Sequence, residues 1–233
     1  MASLSVRHLS KSYGGVRALA DVTFAVAAGE MVALIGPNGA GKTTCFNVLN
    51  GQLAPDSGEV LLDGASVIGR APHQVARLGV GRTFQVAATF GSMTVRDNVQ
   101  VALDACGRAE ESETILARVG MASQGDTVCA ALAYGELKRV ELAMVLAQRP
   151  RLLLMDEPTA GMAPEERNAL MKLAADLARG ENIAVLFTEH DMSVVFGFAH
   201  RVVALHLGEV IAEGSPEQVR SNARLREVYL GDA

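Results

Sequence analysis

A chain of 233 residues that is 49% apolar and carries a net charge of −5 has the length for one to two domains and the apolar content for a full core without disulfides. Its acidic and basic residues are interspersed, which removes the general electrostatic ground for binding nucleic acid. Cys45, Cys106 and Cys129 are odd in number and lack CxxC spacing, so they read as buried or incidental thiols in a reducing cytosol, with neither zinc nor a disulfide framework indicated.

The N-terminus, MASLSVRHLSKSYGG, is polar throughout and has no apolar core of signal-peptide length, so it is expected to be retained. No run of about 18 apolar residues occurs, and any membrane role is expected to come through partners. Leu4 to Leu9 alternates apolar and polar residues, and Val22 to Val26 does so after the Tyr13-Gly14-Gly15 turn, which predicts an antiparallel strand pair. Tyr13, between them, is a candidate plate for adenine, although position alone describes an ordinary half-buried tyrosine.

Met31 to Ile35 is a short apolar strand that runs into GPNGAGKTT, residues Gly36, Pro37, Asn38, Gly39, Ala40, Gly41, Lys42, Thr43 and Thr44, and then into a helix-compatible segment. Strand, glycine-rich turn and helix in that order are the context of a phosphate-binding loop. The glycines let successive N–H groups point into one concavity, closed by the positive end of the helix. Lys42 supplies a point charge to the β and γ phosphates, and the Thr43 hydroxyl can ligate the bridging magnesium.

Phe46 to Leu49 continues the helix, Gly51 and Pro55-Asp56-Ser57-Gly58 end it, and Glu59 to Leu62 returns as a strand. Pro72 starts a helix through Leu78, after which Val80 to Phe84 reads as a strand ending at Gln85. A glutamine there can reach the metal or the attacking water; taken alone it is a solvated loop residue. From Val86 to about Arg149 the pattern turns helical, with Thr94 capping Val95 to Leu103 and a further helix over Glu111 to Val119. Leu132-Ala133-Tyr134-Gly135-Glu136-Leu137 then opens an apolar helix through Ala147, a second helix start with small residues and free N–H groups.

Arg151 to Glu157, RLLLMDE, is a buried-strand run ending in two carboxylates. Alternation along a strand places Asp156 and Glu157 on opposite sides, so Asp156 is assigned to magnesium and Glu157 to the hydrolytic water. Ala184 to Thr188 is another apolar strand, and His190 just beyond it can donate to the γ phosphate as charge develops. Arg201 to Leu207 and Glu209 to Glu213 flank Gly208 as a strand pair, and Pro216 to Tyr229 reads as a terminal amphipathic helix.

Phosphate loop, strand-end Gln85, LAYGELKR, LLLMDE and TEHD, in this order, resemble the ATP-binding subunit of ABC transporters over essentially the whole chain. The resemblance implies an α/β fold: a P-loop ATPase core with a mainly parallel sheet, an antiparallel β subdomain and a helical subdomain. It also implies a single ATP-binding unit over 1–233, with the core and its β subdomain in 1–85 and 150–233 and the helical subdomain in 86–149. Tyr13 would be the adenine plate, Gln85, Glu157 and His190 catalytic, Ala133 to Glu136 the signature turn, and Thr43, Gln85 and Asp156 the magnesium set. ATP and Mg2+ are the implied cofactors. The implied partners are a second ATP-binding subunit, identical or sister, transmembrane permease subunits at the cytoplasmic face of the cell membrane, and, indirectly, an extracytoplasmic solute-binding protein. The groove near Gln85 to Thr94 would receive a permease helix.

Within the family, GVGRTFQ at 79 to 85, LAYGELKRVELA at 132 to 143, TEHDMSVV at 188 to 195 and VYLG at 228 to 231 look most like the branched-chain amino-acid importer ATPases. Lipopolysaccharide-transport ATPases and soluble ABC switches acting on nucleic acid or ribosomes are the alternatives. Two positions depart from many relatives: Ala133 stands where they carry a serine, and Ala163 where they carry an aspartate that helps bridge the dimer.

Overall fold

The computed structural model describes residues 2–222 and Leu225. In chain order the elements are β1 (Ala2–Tyr13), β2 (Val16–Ala27), β3 (Met31–Ile35), α1 (Lys42–Leu49), β4 (Ser57–Leu62), β5 (Ala65–Ser66), α2 (Pro72–Leu78), β6 (Val80–Thr83), α3 (Val95–Ala105), α4 (Ser112–Arg118), α5 (Tyr134–Leu146), β7 (Leu152–Asp156), α6 (Pro164–Glu181), β8 (Ala184–Thr188), α7 (Met192–Phe198), β9 (Arg201–His206), β10 (Glu209–Gly214) and α8 (Pro216–Arg220).

Two sheets result. The larger has the order β10-β9-β3-β8-β7-β6, parallel except for β10, which returns antiparallel to β9. The smaller, β2-β1-β4-β5, is antiparallel throughout. Both faces of the large sheet are covered, which is why its inner strands are unbroken apolar runs. Along β3, Val32 and Leu34 pack with Phe46 of α1 and with Leu4, Val6 and Phe24 of the small sheet. Met31, Ala33 and Ile35 face the other way, into a core with Val99 of α3, Leu142 of α5, Met171 of α6 and Val195 of α7.

The expected strand pair is longer than its alternating residues, since β1 and β2 run to 12 residues each and Tyr13 is the last residue of β1 rather than part of a turn. β6 ends at Thr83, so Phe84 already belongs to the following loop. Thr94 caps α3, accepting from the Asp97 N–H at 3.1 Å. Helices α6 and α7 occupy stretches that the sequence reading leaves unassigned. Of the expected terminal helix, Pro216–Arg220 is helical; its remainder and VYLG at 228 to 231 lie outside the described residues apart from Leu225. Among the described residues no helix is long and apolar enough to cross a membrane.

Candidate functional site

The parallel strands of the large sheet end at one edge, the place where ligands meet open α/β sheets. β3 leads there into Gly36 to Thr44, β6 into Gln85, β7 into Glu157 and β8 into His190. Asn38, Gly39, Ala40, Gly41, Lys42, Thr43 and Thr44 line a cleft of about 320 Å³ together with Tyr13, Asp156 and Glu157. Lys42 folds back over its own loop, and its Nζ donates to the carbonyls of Gly36 at 2.5 Å and Pro37 at 3.1 Å. Burial lowers the pKa of this ammonium, while the Glu157 and Asp156 charges pull in the opposite direction. No side chain caps α1 and its first turn holds no acidic residue, so the helix start keeps its partial positive charge for an anion.

Asp156 closes β7 with both carboxylate oxygens engaged. Oδ1 accepts from Thr188 Oγ1 at 2.9 Å, and Oδ2 from Arg82 Nη2 at 3.0 Å. Arg82 lies against the rings of Phe46 and Phe84 and also donates to Asn47 Oδ1 at 2.8 Å. Neither Arg82 nor Thr188 is singled out by the sequence, because both reach Asp156 from flanking strands. The pairing register sets Thr188 directly opposite Asp156, whereas Arg82 pairs with Leu154 and reaches Asp156 two residues further along β7.

Glu157 corrects the alternation argument. The strand stops at Asp156 and Glu157 turns with φ of 46°, its N–H donating to Thr188 Oγ1 at 3.0 Å. Both carboxylates therefore line one cleft. A non-glycine residue held at positive φ at a strand end is a strained arrangement that the surrounding hydrogen bonds must maintain. Two of the sequence-selected side chains converge on this carboxylate: Gln85 Nε2 donates to Oε2 at 2.9 Å, and His190 Nε2 lies 2.9 Å from Oε1. Glu189, which sequence reasoning passed over, is 6% exposed and accepts from the Thr159 N–H at 2.9 Å and hydroxyl at 2.7 Å. It thereby fixes the turn after Glu157 to the segment that carries His190.

Ala133 to Glu136 lie elsewhere. Gly135 and Glu136 border a second cleft of about 410 Å³, whose lining includes Gln124, Arg139, Glu165 and Glu166 and shares no residue with the first. Glu136 Oε1 accepts from Gln124 Nε2 at 2.6 Å and Oε2 from the Ala133 N–H at 2.9 Å. Those bonds, Gln124's first, hold its carboxyl below the ordinary value. Tyr134 reaches back toward the first group, its hydroxyl donating to the Gln85 carbonyl at 2.6 Å.

The phosphate loop, the Asp156–Glu157 turn and the residues between them fall within residues 19–160, which match the sequence profile described as ABC transporter. The chain belongs to this family. Residues 209–233 match a second profile, described as branched-chain amino acid ATP-binding cassette transporter. The ABC cassette is similar to LivG of Escherichia coli K12, a high-affinity branched-chain amino acid transport ATP-binding protein, at 37% identity over 99% of this chain and 98% of that protein. It is also similar to LptB of Acidithiobacillus ferridurans, a lipopolysaccharide export system ATP-binding protein, at 38% identity over 98% and 97% of the two chains. The crystal structure of the ADP conformation of MJ1267, an ATP-binding cassette of an ABC transporter, superposes with a TM-score of 0.90 at 28% identity, covering both chains in full. The cassette thus has the fold of the family's transporter ATPases.

Proposed function

We propose that this cassette hydrolyses ATP as one of a pair of ATP-binding subunits beneath a membrane permease, and that the transporter imports branched-chain or other hydrophobic amino acids. The observation that carries the catalytic part is the convergence of Gln85 and His190 on Glu157 at the mouth of the phosphate-loop cleft. Glu157 takes a proton from water as the water oxygen bonds to the γ phosphorus, and the β–γ bridging oxygen leaves with ADP. Gln85 orients Glu157 and the water. His190 turns from Glu157 to donate to the γ phosphate as charge grows there. Tyr13 stacks on the adenine, and Lys42 with the N–H groups of Gly36 to Thr44 holds the phosphates.

Thr43 and Asp156 are two hard oxygen donors on the same cleft. That fits magnesium, which prefers one or two protein oxygens plus water and phosphate oxygens. The Thr43 hydroxyl and Asp156, with the side-chain oxygen of Gln85, would hold it, and when bound it offsets negative charge on the phosphates.

Pairing is supported by the two separate clefts. Gly135 and Glu136 border a cleft that shares no residue with the one Lys42 lines, and on this reading a partner subunit, identical or sister, completes each nucleotide site. Attachment to permease subunits places the cassette at the cytoplasmic face of the membrane, with a solute-binding protein on the far side of the permease. The C-terminal profile match and the similarity to LivG favour amino-acid cargo; the similarity to LptB favours lipopolysaccharide extraction as the second reading. Identifying the permease that co-purifies from solubilised membranes decides between them. For the chemistry, Glu157→Gln should retain ATP binding and slow turnover by about 10²-fold or more, since an amide cannot act as base. Turnover near the parent's would remove Glu157 from that role.

A further inference from the structure

Outside both clefts lies a buried ion pair. Lys138 and Glu141, one turn apart on α5, have side chains 2% and 3% exposed and approach to 3.2 Å, Nζ to Oε2. Charges so buried are stable only when their remaining hydrogen-bonding capacity is filled. One short segment supplies three of those bonds. Lys138 Nζ donates to the Phe84 carbonyl, and Glu141 Oε1 accepts from the N–H groups of Phe84 at 2.9 Å and Ala88 at 3.2 Å. At the start of the same helix the Tyr134 hydroxyl donates to the Gln85 carbonyl. Burial first, and then the Glu141 charge, push that phenol's pKa up. α5 therefore grips the backbone on both sides of Gln85, while the Gln85 amide group reaches Glu157.

We propose that the Lys138–Glu141 pair is a positioning device for catalysis: it fixes the backbone from Phe84 to Ala88 so that Gln85 meets Glu157, and it ties that loop to the helix bearing Ala133 to Glu136. The inference rests on the proposed role of Glu157. Two isolated α5 charges could serve helix packing alone, but three of their contacts end on main-chain atoms of one loop, which an apolar pair of equal volume cannot reproduce. A displacement of α5, through its first turn or through the loop, is transmitted to Gln85 by these bonds.

The double variant Lys138→Met, Glu141→Leu removes both charges and retains the volume, so the core need not suffer. Hydrogen exchange of the segment 84–88 should accelerate about tenfold or more while β7 and β8 keep their protection. The kcat for ATP should fall about tenfold with KM within about threefold, because Gln85 is misplaced and the phosphate loop is untouched. Glu141→Gln, which keeps one acceptor for the two N–H groups but loses the charge, should give intermediate values for both. Parental loop exchange, or faster loop exchange with parental kcat, overturns the proposal, as does acceleration spread evenly over the core strands. If the double variant does not fold, Glu141→Gln decides by itself, and parental exchange and kcat there count as refutation. The exchange measurement needs no turnover, so a parent chain without ATPase activity would speak against the proposed function, and unchanged loop exchange against the pair.

Discussion

Two helices of this molecule begin at glycine-bearing turns, and the turns are built on different grounds. At the start of α1, Gly41 has φ of 107°, and a Cβ there would stand 2.4 Å from the Ala18 carbonyl oxygen. The backbone itself requires glycine. At the start of α5, Gly135 has no such conformation, and the nearest atoms a Cβ would meet are those of the Glu166 carboxylate, at 3.3 Å, the far end of a flexible side chain. The charges differ as well: Lys42 opens α1 and no acid is in its first turn, whereas α5 carries Glu136, kept ionised by Gln124 and the Ala133 N–H. The first turn joins a helix start to a cation with no acid in its first helical turn; the second joins a helix start to the Glu136 carboxylate, with Glu165 and Glu166 on the same cleft. On the proposed function, a turn of the second kind contributes to binding phosphate only when another subunit brings the rest.

The test with the largest effect separates the two turns by mixing. Lys42→Ala spoils the first and Gly135→Asp puts a carboxylate against phosphate in the second, and each alone should lower ATPase activity by about 10²-fold or more. In a mixed population both lesions fall in one composite site of each heterodimer, and the other site is intact. Recovery to on the order of a quarter of the parent rate is expected for statistical mixing of independent sites. Heterodimers that demonstrably form and recover nothing would contradict composite sites that work independently.

Next in size is the stability contrast between the glycines themselves. Gly41→Ala should cost roughly 1–3 kcal/mol from the left-handed backbone, plus the clash with Ala18, and so lower Tm by several degrees in thermal unfolding. Gly135→Ala should change stability by less than about 1 kcal/mol, the gain in helix propensity offsetting the contact with Glu166. Equal destabilisation would erase the distinction drawn between a glycine needed by the fold and one needed by a ligand. A smaller effect is expected at the rim of the first cleft, where Tyr13 is 50% exposed and held chiefly by its place at the end of β1. Tyr13→Ala should raise the KM for ATP about fivefold, from roughly 1 kcal/mol of lost stacking, with kcat altered less than about twofold. A fall in kcat alone would mean that the ring does something other than stack.

The same contrast shows what the sequence could reveal. β3 and β8 are legible because strands buried on both faces must be continuous apolar runs, and Met31–Ile35 and Ala184–Thr188 end where those runs end. The phosphate loop is legible because its chemistry is local. α6 was readable in principle, from Pro164 at its first turn and buried Leu170, Met171, Ala174, Leu177 and Ala178 at helical spacing, but its many charged residues mask the stripe. The turn at Glu157 defeats alternation because a single positive φ redirects the side chain. Arg82, Thr188, Glu189 and the Lys138–Glu141 pair act across strands or from helix to loop, so no spacing along the chain marks them.

The smallest effect concerns the missing hydroxyl at the second turn. Ala133 occupies the N-cap position of α5 with extended backbone, φ −67° and ψ 157°, and contributes no side-chain cap. Half of a reciprocal cap is already present, since Glu136 accepts the Ala133 N–H. A serine hydroxyl at 133 can accept the Glu136 N–H and supply the other half. Ala133→Ser should therefore stabilise the cassette by about 0.5–1 kcal/mol, a rise in Tm of about 1–4 °C for a chain of this length. The same hydroxyl can serve the helix or a partner's phosphate, and either use is limited to one hydrogen bond, so ATPase activity should change by no more than a few-fold. A thermal melt and a rate measured on one preparation separate the uses. A higher Tm with an unchanged rate assigns the hydroxyl to the cap, whereas a raised rate with an unchanged Tm assigns it to the composite site. A loss of both would show that this turn has no room for a single added oxygen.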